Sequence, residues 1–171
     1  IPVVYYVSPQ LWAWREGRVE QIRKHVDRML VIFPFEVDFY ARHGAEARFV
    51  GHPLLDLIDM DKVRKNAEVL RHGFKIPKKK KVVGLFPGSR RGEITRLMPR
   101  MLDAAREIQK RMPDVVFLIG CAPWFNPDRY KASIKDHEDL PLRAVHGRSH
   151  EVMSLSDFAL VCSGTATVEA A

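Results

Sequence analysis

The sequence predicts an α/β protein in which helices cover both faces of parallel β-sheet. Three observations carry this prediction. Short apolar runs alternate with amphipathic segments along the chain, turn-forming residues separate the two almost everywhere, and several of the runs are unbroken stretches of β-branched and aromatic residues. An unbroken run of strand length suits a strand buried on both faces, as in sheets whose crossovers lay helices on either side. With 171 residues and 46% hydrophobic content, the chain has apolar material for one full core, or for one domain plus part of another.

In chain order, residues 3–7 predict a strand, 18–26 a helix, 28–33 a strand, 35–42 a helix and 47–50 a strand. Gly51-His52-Pro53 then ends a strand in a stiff proline link, so a domain boundary is expected there. Residues 1–52 would be the end of one α/β domain, and residues 53–171 most of a second. The second opens with a helix over 62–71 and a strand over 82–86. The clearest helix spans 93–112, where Ile94, Leu97, Met98, Met101, Leu102, Ala105, Ile108 and Met112 recur at steps of three and four. Pro99 lacks the N–H that a continuous ladder needs, which predicts a kink or a break into a short entry turn. A strand over 115–119, a helix over 129–135, a strand over 142–145, a helix over 150–155 and a strand over 158–162 complete the pattern, with helix starting again before Ala171. Ile1 opens directly into an apolar run and Ala171 closes on a helix, so both ends are expected to be cuts.

The net charge of +7 and pI near 9.6 favour a polyanionic partner: nucleic acid, an acidic membrane or a phosphorylated substrate. Charge alone does not choose among these. Lys78-Lys79-Lys80-Lys81 reads as a solvated loop, with contact to anionic lipid headgroups as the alternative. No apolar stretch approaches the roughly 20 residues of a membrane span and no signal-peptide pattern opens the chain, so a protein on the cytosolic side is expected. Cys121 and Cys162 each end an apolar run, which predicts buried, reduced thiols.

Two segments carry chemistry. In the first, the strand at 82–86 runs into Pro87-Gly88-Ser89-Arg90 and then a helix. Such a corner suits a phosphate: Gly88 permits close backbone approach or positive φ, successive N–H groups form an anion nest, and the helix start adds partial positive charge. Ser89 adds a hydroxyl and Arg90 a planar cationic fork. A plain surface turn remains the alternative. In the second, the strand at 158–162 runs into Ser163-Gly164-Thr165 and a helix start. Two such corners in one parallel sheet would face the same edge and could grip one nucleotide diphosphate. Glu169, a turn later, suits ribose hydroxyls, or simply the helix macrodipole.

Other constellations are missing. The sequence has no Walker loop, Gly-x-Gly-x-x-Gly fingerprint, His-Glu-x-x-His helix or Cys-x-x-Cys pair. The seven histidines are scattered, so no metal site is expected. His52, beside Pro53, is the one placed at a junction, where a structural role competes with a catalytic one.

Several of these segments resemble the lipid-A-disaccharide synthases. Tyr6-Val7-Ser8-Pro9-Gln10-Leu11-Trp12-Ala13-Trp14-Arg15 is similar to the family's Val-Ser-Pro-x-x-Trp-Ala-Trp-Arg stretch, and Phe33-Pro34-Phe35-Glu36 to its Pro-Phe-Glu segment. Residues 49–56 resemble its interdomain passage, Pro87-Gly88-Ser89-Arg90 with Glu93 its phosphate loop, and Ser163-Gly164-Thr165 with Glu169 its second nucleotide loop. The resemblance implies a GT-B glycosyltransferase: two Rossmann-like domains across a cleft, here the end of the acceptor-side domain and most of the UDP-sugar-binding one. It implies transfer of 2,3-diacylglucosamine from its UDP derivative to 2,3-diacylglucosamine 1-phosphate, giving lipid A disaccharide 1-phosphate and UDP, without metal or other cofactor.

By the same resemblance Arg90 is the catalytic cation. Gly88, Ser89, Arg90, Glu93, Ser163, Gly164, Thr165 and Glu169 bind UDP, and His52, Trp14 and Arg15 are cleft candidates, with packing the alternative for Trp12 and Trp14. The general base is expected upstream of Ile1, so this chain alone is expected to be inactive. The family implies peripheral attachment to the cytoplasmic side of a bacterial inner membrane, no nucleic-acid partner, and leaves room for a homodimer. The rivals are another UDP-sugar GT-B enzyme, a UDP-sugar 2-epimerase, or a basic nucleic-acid-binding domain, which would show strongly salt-dependent polynucleotide affinity.

Overall fold

A computed structural model describes residues 1–124, 126, 130, 134–135 and 137–171. The helix expected over 129–135 falls largely outside them. The chain divides into two compact units, Ile1–Asp59 and Met60–Ala171. Both are α/β, and the strand pairs in both are parallel, as the apolar runs predicted.

In the first unit, β1 (Val4–Tyr6), β2 (Arg28–Val31) and β3 (Ala47–Phe49) lie in that order. Crossover helices α1 (Val19–His25) and α2 (Phe35–Arg42) supply Val19, Ile22, Phe39 and Tyr40, which pack with Leu11, Met29 and Val31. The core is small, and all three residues of β1 are exposed. A one-turn helix α3 (Leu54–Leu57) and a 3-10 turn (Glu16–Arg18) were not anticipated, because a single turn is too short to show a period.

In the second unit, β4 (Lys81–Phe86), β5 (Val115–Cys121), β6 (Leu142–His146) and β7 (Phe158–Val161) are ordered β6-β5-β4-β7. The helices are α4 (Met60–Gly73), α5 (Arg91–Arg111), α6 (Ser149–Leu155) and α7 (Thr165–Ala170). Side chains alternate between two cores, following the two-residue period of a strand. Val83, Leu85, Val115, Phe117 and Ile119 meet Ile94, Met98, Met101, Leu102 and Ala105 of α5. Val82, Phe86, Val116 and Leu118 meet Ala67 and Leu70 of α4 and Val152 and Leu155 of α6. All seven residues of β5 are buried. Each such aliphatic or aromatic side chain stabilises the unit by about 1.5–3 kcal/mol relative to exposure.

Two expectations need correction. α5 is not broken at Pro99, which lies inside one 21-residue helix. Both Pro99 and Thr95 are exposed, so water can satisfy the carbonyl that loses its N–H partner, while buried Met98, Met101 and Leu102 hold the two halves on the sheet. The thiols also differ. Cys121 is buried and its pKa is pushed up to about 12 by burial, whereas Cys162 is only half-buried because it follows β7, an edge strand of the four.

Candidate functional site

The order of strands locates the site. From β4 the chain moves outward through β5 to β6, then returns across the sheet to place β7 on the other flank of β4. Crossovers therefore diverge between β4 and β7, and such a switch point opens a crevice at the carboxyl ends of the strands. Phe86 pairs with Val161, and the Cys162 amide donates to the Phe86 carbonyl at 2.8 Å. The corners at 87–90 and 162–164 are thus neighbours on one rim. At the other end of the same strands Asp157 locks the register: its carboxylate accepts from Lys81 Nζ (2.6 Å) and the Val82 amide (2.9 Å). Burial alone would raise its pKa, but these bonds outweigh it and hold the carboxyl below the usual range.

The β4–α5 corner is built around an internal anion. Glu93, in the first turn of α5, accepts at Oε2 from the amides of Ser89 (3.1 Å) and Arg90 (3.2 Å), and at Oε1 from Arg90 Nη1 (3.1 Å). The Glu93 amide returns a bond to the Arg90 carbonyl at 3.0 Å. This is a reciprocal helix cap in which donors of the first turn are satisfied locally. The bond from the Arg90 amide, followed by those from the Ser89 amide and the Arg90 guanidinium, holds the Glu93 carboxyl below its usual range. Gly88 makes the arrangement feasible: its φ is 102°, and a Cβ there would collide with the Glu93 side chain. The Arg90 side chain is 84% exposed and keeps most of its five N–H donors for another anion.

The β7–α7 corner is open. Gly164 has φ 145° with nothing near the place of a Cβ. Ser163, Gly164 and Thr165 are exposed. Thr167 closes the turn from inside, donating to the Gly164 carbonyl from Oγ1 (2.6 Å) and from its amide (3.1 Å). Glu169, half-buried, has Oε2 3.0 Å from His150 Nε2.

The structure therefore brings Gly88, Ser89, Arg90 and Glu93 to the same rim as Ser163, Gly164, Thr165 and Glu169. Glu93 sits there as a brace of the loop. Sequence reasoning missed His150, which lies 19 residues from its partner and in no motif. Trp14, Arg15 and His52 belong to the first unit. The Arg15 guanidinium lies 5.2 Å from the Trp14 ring centroid, and Trp14 is 64% exposed. His52 packs near Phe33, with 5.4 Å between ring centroids, and its Nδ1 accepts from the Leu54 amide at 3.2 Å. In its neutral form the ring therefore carries its proton on Nε2.

The first unit also holds a buried carboxylate. Glu36 is 1% exposed and accepts from Trp12 Nε1 (3.2 Å) and from the amides of Ile32 (3.2 Å) and Phe33 (3.0 Å). Trp12 packs edge-on against Phe35 as well, so this indole is a structural pin. Among the described residues no three His, Cys, Asp or Glu come together as a metal site.

A family model described as lipid-A-disaccharide synthetase matches residues 1–171. Curated relatives include lipid-A-disaccharide synthases of Trichlorobacter lovleyi, 42% identical over 171 residues, which cover 100% of this chain and 44% of the relative. That of Anaeromyxobacter sp. is 44% identical over 170 residues, 99% of this chain and 43% of the relative. That of Geobacter sulfurreducens is 42% identical, covering 100% and 44%. The chain spans less than half the length of these relatives.

Proposed function

This chain belongs to the lipid-A-disaccharide synthetase family, and from that membership we propose that it supplies the donor-nucleotide site of a glycosyltransferase. The enzyme moves 2,3-diacylglucosamine from UDP to 2,3-diacylglucosamine 1-phosphate. One observation carries this: two glycine-containing strand-to-helix corners leave adjacent parallel strands, β4 and β7, at the switch point of the sheet. Residues 1–52 are assigned to the acceptor-side domain and 53–171 to the UDP-sugar domain. The exposed apolar residues of β1 support a first unit that continues into a larger domain.

The chemical task is displacement at the anomeric carbon with inversion, during which the departing UDP gains negative charge. Fixed donors aimed at that charge lower the barrier by several kcal/mol. Arg90, exposed at the rim and tethered to Glu93, is the cation for this role. Gly88 and Ser89 bring backbone and hydroxyl close, and the amides of Thr165 and Ala166 precede the first donor of the turn, Thr167, and are placed to meet a phosphate. Glu93 keeps the first corner in shape, and Glu169 accepts from the ribose hydroxyls. His52, Trp14 and Arg15, all in the first unit, are candidates for substrate contact from the acceptor-side domain. The base that deprotonates the acceptor is assigned to the part of the family's length not spanned here, so the chain alone should not turn over.

Among the described residues no helix is long and apolar enough to cross a membrane. Peripheral attachment to the cytoplasmic face of the inner membrane, and a homodimeric full-length enzyme, complete the proposal. The test is calorimetric titration with UDP, ADP and uridine. UDP should bind better than either, and Arg90→Ala should weaken UDP but not uridine. Equal affinity for UDP and ADP, or unchanged UDP affinity in the variant, would remove the donor-site assignment.

A further inference from the structure

Glu169 stands on α7, a helix of six residues that can offer its side chain little support of its own. Its support comes from α6. That helix carries the chain back from β6 to β7, packing over β4 and β5 and touching α7. Two glycines face it from the sheet: a Cβ at Gly84 would strike Ser156 Oγ, just past the end of α6, and one at Gly120 would lie 3.5 Å from Ser149 Oγ in its first turn. The first turn of α6 is thereby held at the carboxyl rim, and His150 Nε2 comes within 3.0 Å of Glu169 Oε2. The neighbouring cation, Arg148, is directed elsewhere, donating to the Asn66 carbonyl (3.0 Å) and to Glu151 (3.5 Å).

We infer that His150 is a positioning residue for the ribose of the nucleotide. It donates its Nε2–H to Oε2 of Glu169, which keeps the carboxylate in one rotamer and leaves Oε1 free to accept from the vicinal ribose hydroxyls. A flexible carboxylate would have to be ordered on each binding event, and ordering a rotamer-rich side chain weakens binding. The inference rests on the ribose role given to Glu169 above and adds the residue through which that role is set.

The test separates ribose recognition from fold. Amide NMR titrations of the 171-residue chain with UDP and with 2′,3′-dideoxy-UDP compare the parent, His150→Ala, His150→Gln, Glu169→Ala and the double alanine variant. His150→Ala should weaken UDP about tenfold, as expected for one lost charge-assisted hydrogen bond, and leave the dideoxy analogue unaffected. His150→Gln, whose amide can donate to the same oxygen, should recover part of the loss. In the Glu169→Ala background the histidine should no longer matter, because coupling through a shared partner vanishes when that partner is gone. Equal loss for both nucleotides, or none, overturns the positioning role while leaving the UDP site intact. A parent chain that binds neither nucleotide overturns the site itself, and this inference with it.

Discussion

The two corners of the rim solve the same geometric problem in opposite ways. At β4–α5 the loop amides already hold an anion, the Glu93 carboxylate, and Gly88 is confined by it. At β7–α7 the space beside Gly164 is empty, and the turn is closed from inside by Thr167. The first corner is pre-shaped and lends Arg90 outward; the second offers unoccupied backbone. A diphosphate needs both, a fixed cation to meet growing charge and free N–H groups to seat oxygens.

That contrast can be broken by substitution. Gly88→Ala should have the largest effect, since it adds positive-φ strain to a collision with Glu93, together about 3 kcal/mol; urea denaturation checks this, and a variant as stable as the parent would show the corner to be soft. Gly164→Ala faces strain without collision, so about 1–2 kcal/mol is expected, read the same way. Glu93→Gln should cost about 1 kcal/mol at neutral pH as a weakened cap. A carboxyl whose pKa is lower in the folded chain stabilises fully above its unfolded value and loses that contribution as pH falls through the folded one. The gap between parent and Glu93→Gln should therefore close below the ordinary glutamate value of 4.5, and a gap constant with pH would contradict the brace. Arg90→Ala should change stability least, by under about 0.5 kcal/mol, because its ion pair is exposed, while still weakening UDP binding.

The strands were legible because a buried parallel strand must be written as a continuous apolar run, as at 82–86 and 115–119. The two corners were legible for a related reason: glycine next to such a run marks a backbone that other residues adopt only under strain. What escaped the sequence depends on contacts between distant segments. The His150–Glu169 bond exists because α6 crosses the sheet, and no local pattern encodes that. Glu93 belongs to the same loop by sequence, and that its carboxylate also caps the loop's own helix shows only in three dimensions. Of the kink or break expected at Pro99, the break does not occur, because Pro99 and Thr95 lie on the exposed face of the helix.

The most direct measurement of the paired corners is the amide NMR map of the chain as UDP is added. Resonances of residues 88–90 and of residues 163–165 should move together and fit one dissociation constant. Movement confined to one corner, or two different constants, would mean that no single pyrophosphate spans them.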